Sequence, residues 1–169
     1  MRLVVVESPY AGDVEANLVY ARRCILDCLK RGEAPYASHL FFTQPGILDD
    51  TKPEERRLGI EAGLAWARKA ERSCFYIDRG FSEGMAQGAL GALRAKRVVE
   101  VRSIDLFVGV LGERVLAMIH RSLATLLDRV SLDDESLGAR SFLHGNFYHV
   151  IEAAKDEMKR IVALTSEGF

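Results

Sequence analysis

The chain has 169 residues, 49% of them hydrophobic, and a net charge of −1, which suits one compact domain or a small domain with an appendage. That charge gives no electrostatic case for nucleic acid or an anionic membrane, and no apolar run approaches the roughly 20 residues needed to span a bilayer. Met1-Arg2, followed by an apolar run and Glu7, reads as a first strand rather than a signal peptide, so a cytoplasmic protein is the simplest expectation.

Leu3 to Val6 is β-branched and patterned for burial, hence a strand. The small-residue turn Ser8-Pro-Tyr-Ala-Gly12 follows, with Asp13 as a good N-cap for an amphipathic helix from Val14 to Arg31. In that helix Leu18, Ala21, Ile25, Cys28 and Leu29 recur near the helical period, and Gly32 supplies the stop. Tyr36 to Phe42 is expected to hold a second strand, followed by a polar loop from Thr43 to Asp50. Thr51 reads as the next N-cap, with Pro53, Glu54 and Glu55 in the first turn. This helix is expected to turn Leu58, Ala62, Ala65 and Trp66 inward and to run to about Ala70.

Ser73 to Ile77 is the third strand, Gly80 to Gly84 a glycine-containing turn, and a helix then runs to about Arg94 before a fourth strand, Val98 to Val101. The β-α-β-α-β-α-β order predicts an α/β fold of flavodoxin or Rossmann-like type. Its parallel sheet should have four or five strands, the first of them central, with helices on both faces. From Ile104 onward the chain looks helical, with Glu113 to Val130 and Phe142 to about Leu164 separated by a polar loop at Ser131 to Arg140. Val115, Ile119, Leu123 and Leu126 form one stripe; Phe147, Ile151, Ala154, Met158 and Ile161 form another. Such stripes cover a sheet's flank or form a subunit interface, and the narrow sheet favours the interface and a homodimer or higher homo-oligomer. The chain thus divides into residues 1–103, an α/β domain, and residues 104–169, a helical extension. The three cysteines, Cys24, Cys28 and Cys74, lack the partners of a zinc site and read as core residues.

Ser8-Pro-Tyr-Ala-Gly12, Asn17, Ser38-His39-Leu40, Glu55-Arg56 with Leu58-Gly59, and Ser82-Glu-Gly-Met85 occur in this order in a set of small phage and bacterial proteins. That set resembles a branch of the nucleoside 2-deoxyribosyltransferase-like superfamily, which includes deoxynucleoside-monophosphate N-glycosidases. The resemblance covers residues 1 to 103. It implies that the first turn and the serine-glycine turn face one another across the sheet's carboxyl edge, with Ser8, Tyr10, Gly12, Ser82 and Gly84 holding a sugar and phosphate. The ligand it implies is a nucleoside or nucleotide, and no cofactor or metal is expected. One departure stands out. The superfamily's glutamate nucleophile lies six residues after that serine, and here the position is Gly88.

Glycine cannot attack an anomeric carbon, and inside a helix it costs about 1 kcal/mol relative to alanine, so close packing or ligand approach is needed to explain it. Asp78, after the third strand, is the leading functional acid, with a loop cap as its structural alternative. Glu83 at a helix start, Glu7 at the end of the first strand and His39 follow. The two turns are expected to converge on one anion, with Asp78 between them and Gly88 beneath. Asp49, Asp50, Glu54 and Glu55 read as a solvated loop and helix start rather than a metal loop. The leading reading is an N-glycosidase or deoxyribosyltransferase-like enzyme in which Asp78 or Glu83 activates water or stabilises the transition state. The alternative is a non-catalytic protein that binds or sequesters a nucleotide-derived ligand.

Overall fold

The computed structural model describes residues 1–107, 109–130 and 137–166. Its elements are β1 (Arg2–Glu7), α1 (Val14–Lys30), β2 (Glu33–Tyr36), α2 (Ser38–Phe41), α3 (Pro53–Ala67), β3 (Arg72–Tyr76), α4 (Glu83–Arg94), β4 (Val98–Arg102), α5 (Gly109–Asp128) and α6 (Leu137–Ser166). The strands form one parallel sheet in the order β2-β1-β3-β4, with β1 internal, as expected. From β1 the chain leaves to one side, toward β2, and from β3 to the other, toward β4. The carboxyl ends of β1 and β3 therefore flank a topological switch point, where open α/β sheets bind ligands.

Strand alternation divides the core into two layers. Val4, Val6, Cys74 and Tyr76 pack with Tyr20, Cys24 and Cys28 of α1, and all three cysteines are free and buried. Phe75, Ile77 and Val101 face the other way, onto α4, α5 and α6. Under α1 the sheet also buries charge. Arg102 holds Glu33 through two hydrogen bonds of 2.7 and 2.9 Å, and both side chains are almost fully enclosed. That bidentate geometry is what makes the ion pair tolerable in a core, where one partner alone would cost several kcal/mol.

Several expectations change. The inward stripe of α1 is Asn17, Tyr20, Ala21, Cys24 and Cys28, while Leu29 is exposed. The second strand ends at Tyr36, and the expected strand residues Ser38 to Phe41 form the single turn α2. Pro35 is accommodated because β2 is an edge strand. Lys52, not Thr51, occupies the N-cap of α3, with Pro53 opening the helix. That helix ends at Ala67 and turns Gly63 and Ala67 inward, leaving Leu58, Ala65 and Trp66 outside. The reason is close approach, since a Cβ on Gly63 would lie 2.8 Å from the Cβ of Ser38. A count of apolar side chains misses a face made of glycine.

The C-terminal stripes pack within the chain as far as Met158, and the side chain of Ile161 lies outside the described residues. Ile119, Leu123, Phe147 and Ile151 are fully buried in the same cluster as Phe75 and Met85, and Phe147 meets Phe81 edge-to-face at 4.7 Å. They cover the sheet's flank, the first of the two roles expected of such stripes. His120 of α5 accepts a hydrogen bond from the backbone N–H of Val101 at 3.3 Å, capping part of the β4 edge. Of the expected polar loop, 131–136 lie outside the described residues, whereas Leu137 to Arg140 already belong to α6. No described helix is long and apolar enough to cross a membrane.

Candidate functional site

A cavity of about 380 Å³ opens at the switch point, within the range of small-molecule sites. Its floor is the end of β1, with Val5, Glu7 and Ser8. One wall is α2 and α3, with His39, Phe42, Ile60 and Leu64, and the other is the start of α4, with Ser82, Gly84 and Gly88.

The first turn is built from inside. Gly12 has φ +91°, which an L side chain rarely adopts, and Asp13 accepts a hydrogen bond from the N–H of Ala16 at 3.2 Å to cap α1. Asn17 Nδ2 donates to the carbonyls of Tyr10 and Ala11 at 3.0 and 2.9 Å, and its Oδ1 accepts from Arg79 Nε at 2.6 Å. The turn is thereby fixed with Ser8 and Tyr10 toward the cavity. Ser8 Oγ lies 2.9 Å from His39 Nε2, and the Tyr10 ring tilts against the imidazole at 6.4 Å. Burial pulls the His39 pKa down to about 4, so the ring is neutral at pH 7.

On the opposite wall Ser82 caps α4, accepting from the N–H of Met85 at 3.3 Å. Ser82, Glu83, Gly84 and Met85 line the cavity, which puts the positive dipole end of α4 at its wall. Arg56 is the only lysine or arginine among the described lining residues, and it is ion-paired with Asp50. Glu55 is held by Lys52 at 2.9 Å and accepts from the N–H of Asp49 at 2.6 Å. These acids are thus engaged by cations and amides on the same loop and helix.

Glu7 differs from every other acid near the sheet. Its side chain is half-buried and lines the cavity. It accepts no hydrogen bond from a described residue, and Arg97, the cation whose charge acts on it, turns its Nε and Nη1 to Ser73 Oγ and the Ala67 carbonyl. Burial pushes the Glu7 pKa up to about 8 against the pull of Arg97. The carboxyl is therefore a neutral acid at pH 7.

Of the residues expected at the site, Ser8, Tyr10, His39, Ser82, Glu83 and Gly84 line this cavity, with Glu83 exposed. His39 arrives on α2 rather than on a strand. Gly12 shapes the turn without lining the cavity. Asp78 is outside it. Its carboxylate accepts from Tyr20 Oη at 2.6 Å, from Ser103 Oγ, and from the N–H groups of Ile104, Asp105 and Leu106 at 2.9, 3.2 and 2.8 Å. Burial would raise its pKa, but these donors outweigh that and hold it below the usual carboxylate range. Asp78 is the clamp that ties the loop after β4 to β3 and α1. The α3 wall was not anticipated, although Gly59 and Gly63, four residues apart, could have signalled a backbone brought close to something.

Residues 2–102 match the family model DUF7768, described as a domain of unknown function. The chain belongs to the DUF7768 family. The DUF7768 match takes in all four strands and every residue of the cavity, and ends before α5. No curated protein and no solved structure matches the chain.

Proposed function

We propose that this DUF7768 protein binds a nucleoside or nucleotide in the switch-point cavity and cleaves its N-glycosidic bond. The observation that supports this reading is one cavity combining a polar turn at Ser8 and Tyr10, the start of α4 at Ser82 and Gly84, and a half-buried acid, Glu7, whose pKa is raised by desolvation. Such a site has hydrogen-bonding groups for a sugar, apolar walls at Phe42, Ile60 and Leu64 for a base, and a proton donor. A phosphate, where the ligand has one, would sit on the α4 amides. The resemblance of the turn motifs to the nucleoside 2-deoxyribosyltransferase-like superfamily points to the same ligand class.

Ser82→Asp tests the phosphate arm. Aspartate caps a helix as well as serine does, so the fold is kept while a negative charge faces the amide edge. Calorimetry with paired nucleosides and 5′-monophosphates should show weakened monophosphate binding, by about tenfold for each 1.4 kcal/mol of repulsion, and unchanged nucleoside binding. Free base released during incubation, resolved by chromatography, tests the chemistry. Binding without base release would favour a sequestering protein, the reading that Gly88 motivates. Equal monophosphate affinity in parent and variant would show that no phosphate sits at α4.

A further inference from the structure

We propose that Glu7 is the catalytic carboxyl of this cavity, reaching from the end of β1 into space that a side chain at position 88 would fill. The assignment rests on the glycosidase reading above and names the group that performs it.

Strand alternation sends Val4 and Val6 toward α1, so Val5 and Glu7 point to the opposite face, where both line the cavity. Helix α4 crosses that face with Gly88 directly against the carboxyl. A Cβ at position 88 would lie 2.6 Å from Glu7 Cδ and 2.9 Å from Oε2, and closer still to Oε1. Glycine 88 is therefore explained by packing. The helix gives up a side chain there because the acid from β1 already occupies the space.

The pairing of the other buried acids makes Glu7 stand apart. Glu33 is forked by Arg102, Glu100 is held by Arg72 and Arg102, and Asp78 has five donors. A half-buried carboxyl that faces a cavity and has no donor among the described residues is a group waiting for a partner from outside. Its chain neighbour Ser8 and the neutral His39 sit beside it as a hydrogen-bonded pair able to orient a sugar hydroxyl or a water.

The protonated carboxyl gives its proton to the nitrogen of the departing base as the bond from that nitrogen to the anomeric carbon breaks. The bonding electrons leave with the base. Water forms the new bond to the anomeric carbon and returns a proton to the Glu7 carboxylate. The net change is one water added across the bond, and the acid is restored.

The test compares parent, Glu7→Gln and Gly88→Ala with a panel of ribo- and deoxynucleosides and their 5′-monophosphates, using calorimetry for binding and chromatography for free base. Glu7→Gln keeps the side chain's size and should bind as the parent does, with base release down by about 10²- to 10⁴-fold, the usual contribution of a general acid. Gly88→Ala removes no functional group, yet should also slow release by pushing the carboxyl aside. Parental rates in both variants would overturn the assignment of Glu7 while leaving the glycosidase reading intact. A parent that binds panel members without releasing base would overturn both.

Discussion

Glu7→Gln also makes a stability experiment that needs no ligand. In the unfolded chain the Glu7 carboxyl ionises near its ordinary 4.5, whereas in the folded protein it holds its proton to about pH 8. Below pH 4.5 both states are protonated and the difference contributes nothing. Between 4.5 and about 8 the unfolded state loses its proton while the native state keeps it, so stability falls as pH rises. At about 1.4 kcal/mol per pH unit, the penalty reaches about 5 kcal/mol. That figure is an upper bound, because water entering the cavity lessens the desolvation that causes it. Glutamine carries no proton to lose. The variant and the parent should therefore be similar near pH 4.5, and the variant should become the more stable by up to that amount near pH 8. Asp27, Glu33, Asp78 and Glu100, whose pKa values are lowered, are common to both proteins and cancel in the difference. Urea unfolding at intervals across this range measures it directly. If the two stabilities run parallel from pH 4.5 to 8, Glu7 titrates as an ordinary carboxyl and the argument from its enclosure fails.

Asp78→Asn should act on folding rather than on chemistry. It places an amide NH₂ where Tyr20, Ser103 and three backbone N–H groups all donate, costing about 3 kcal/mol in urea unfolding; an unchanged midpoint would remove its role as a clamp. Phe147→Ala should cost about 3–5 kcal/mol, because this ring on α6 is fully buried against Phe81. A cost below about 1 kcal/mol, ordinary for an exposed position, would mean that α6 is not part of the core.

The parallel sheet and the site's two glycine-bearing turns were legible because they depend on local chemistry. β-branched runs make strands, Asp13 and Ser82 cap the helices that follow, and the left-handed turn before α1 needs Gly12. Helix faces were less legible, because burial depends on what stands opposite. Gly63 and Ala67 turn inward where α3 closes on α2, and Trp66 is left outside against Tyr36. Asp78 and Glu7 show the same limit in the site. Glu7 ends a strand and Asp78 follows one, and each could read as a cleft acid, but only the tertiary structure surrounds Asp78 with donors and leaves Glu7 facing the cavity. Glycine 88 was visible in the sequence as a missing side chain. Only the fold brings it against Glu7, a residue 81 positions away along the chain, because strand order and helix packing, not sequence distance, decide which groups meet.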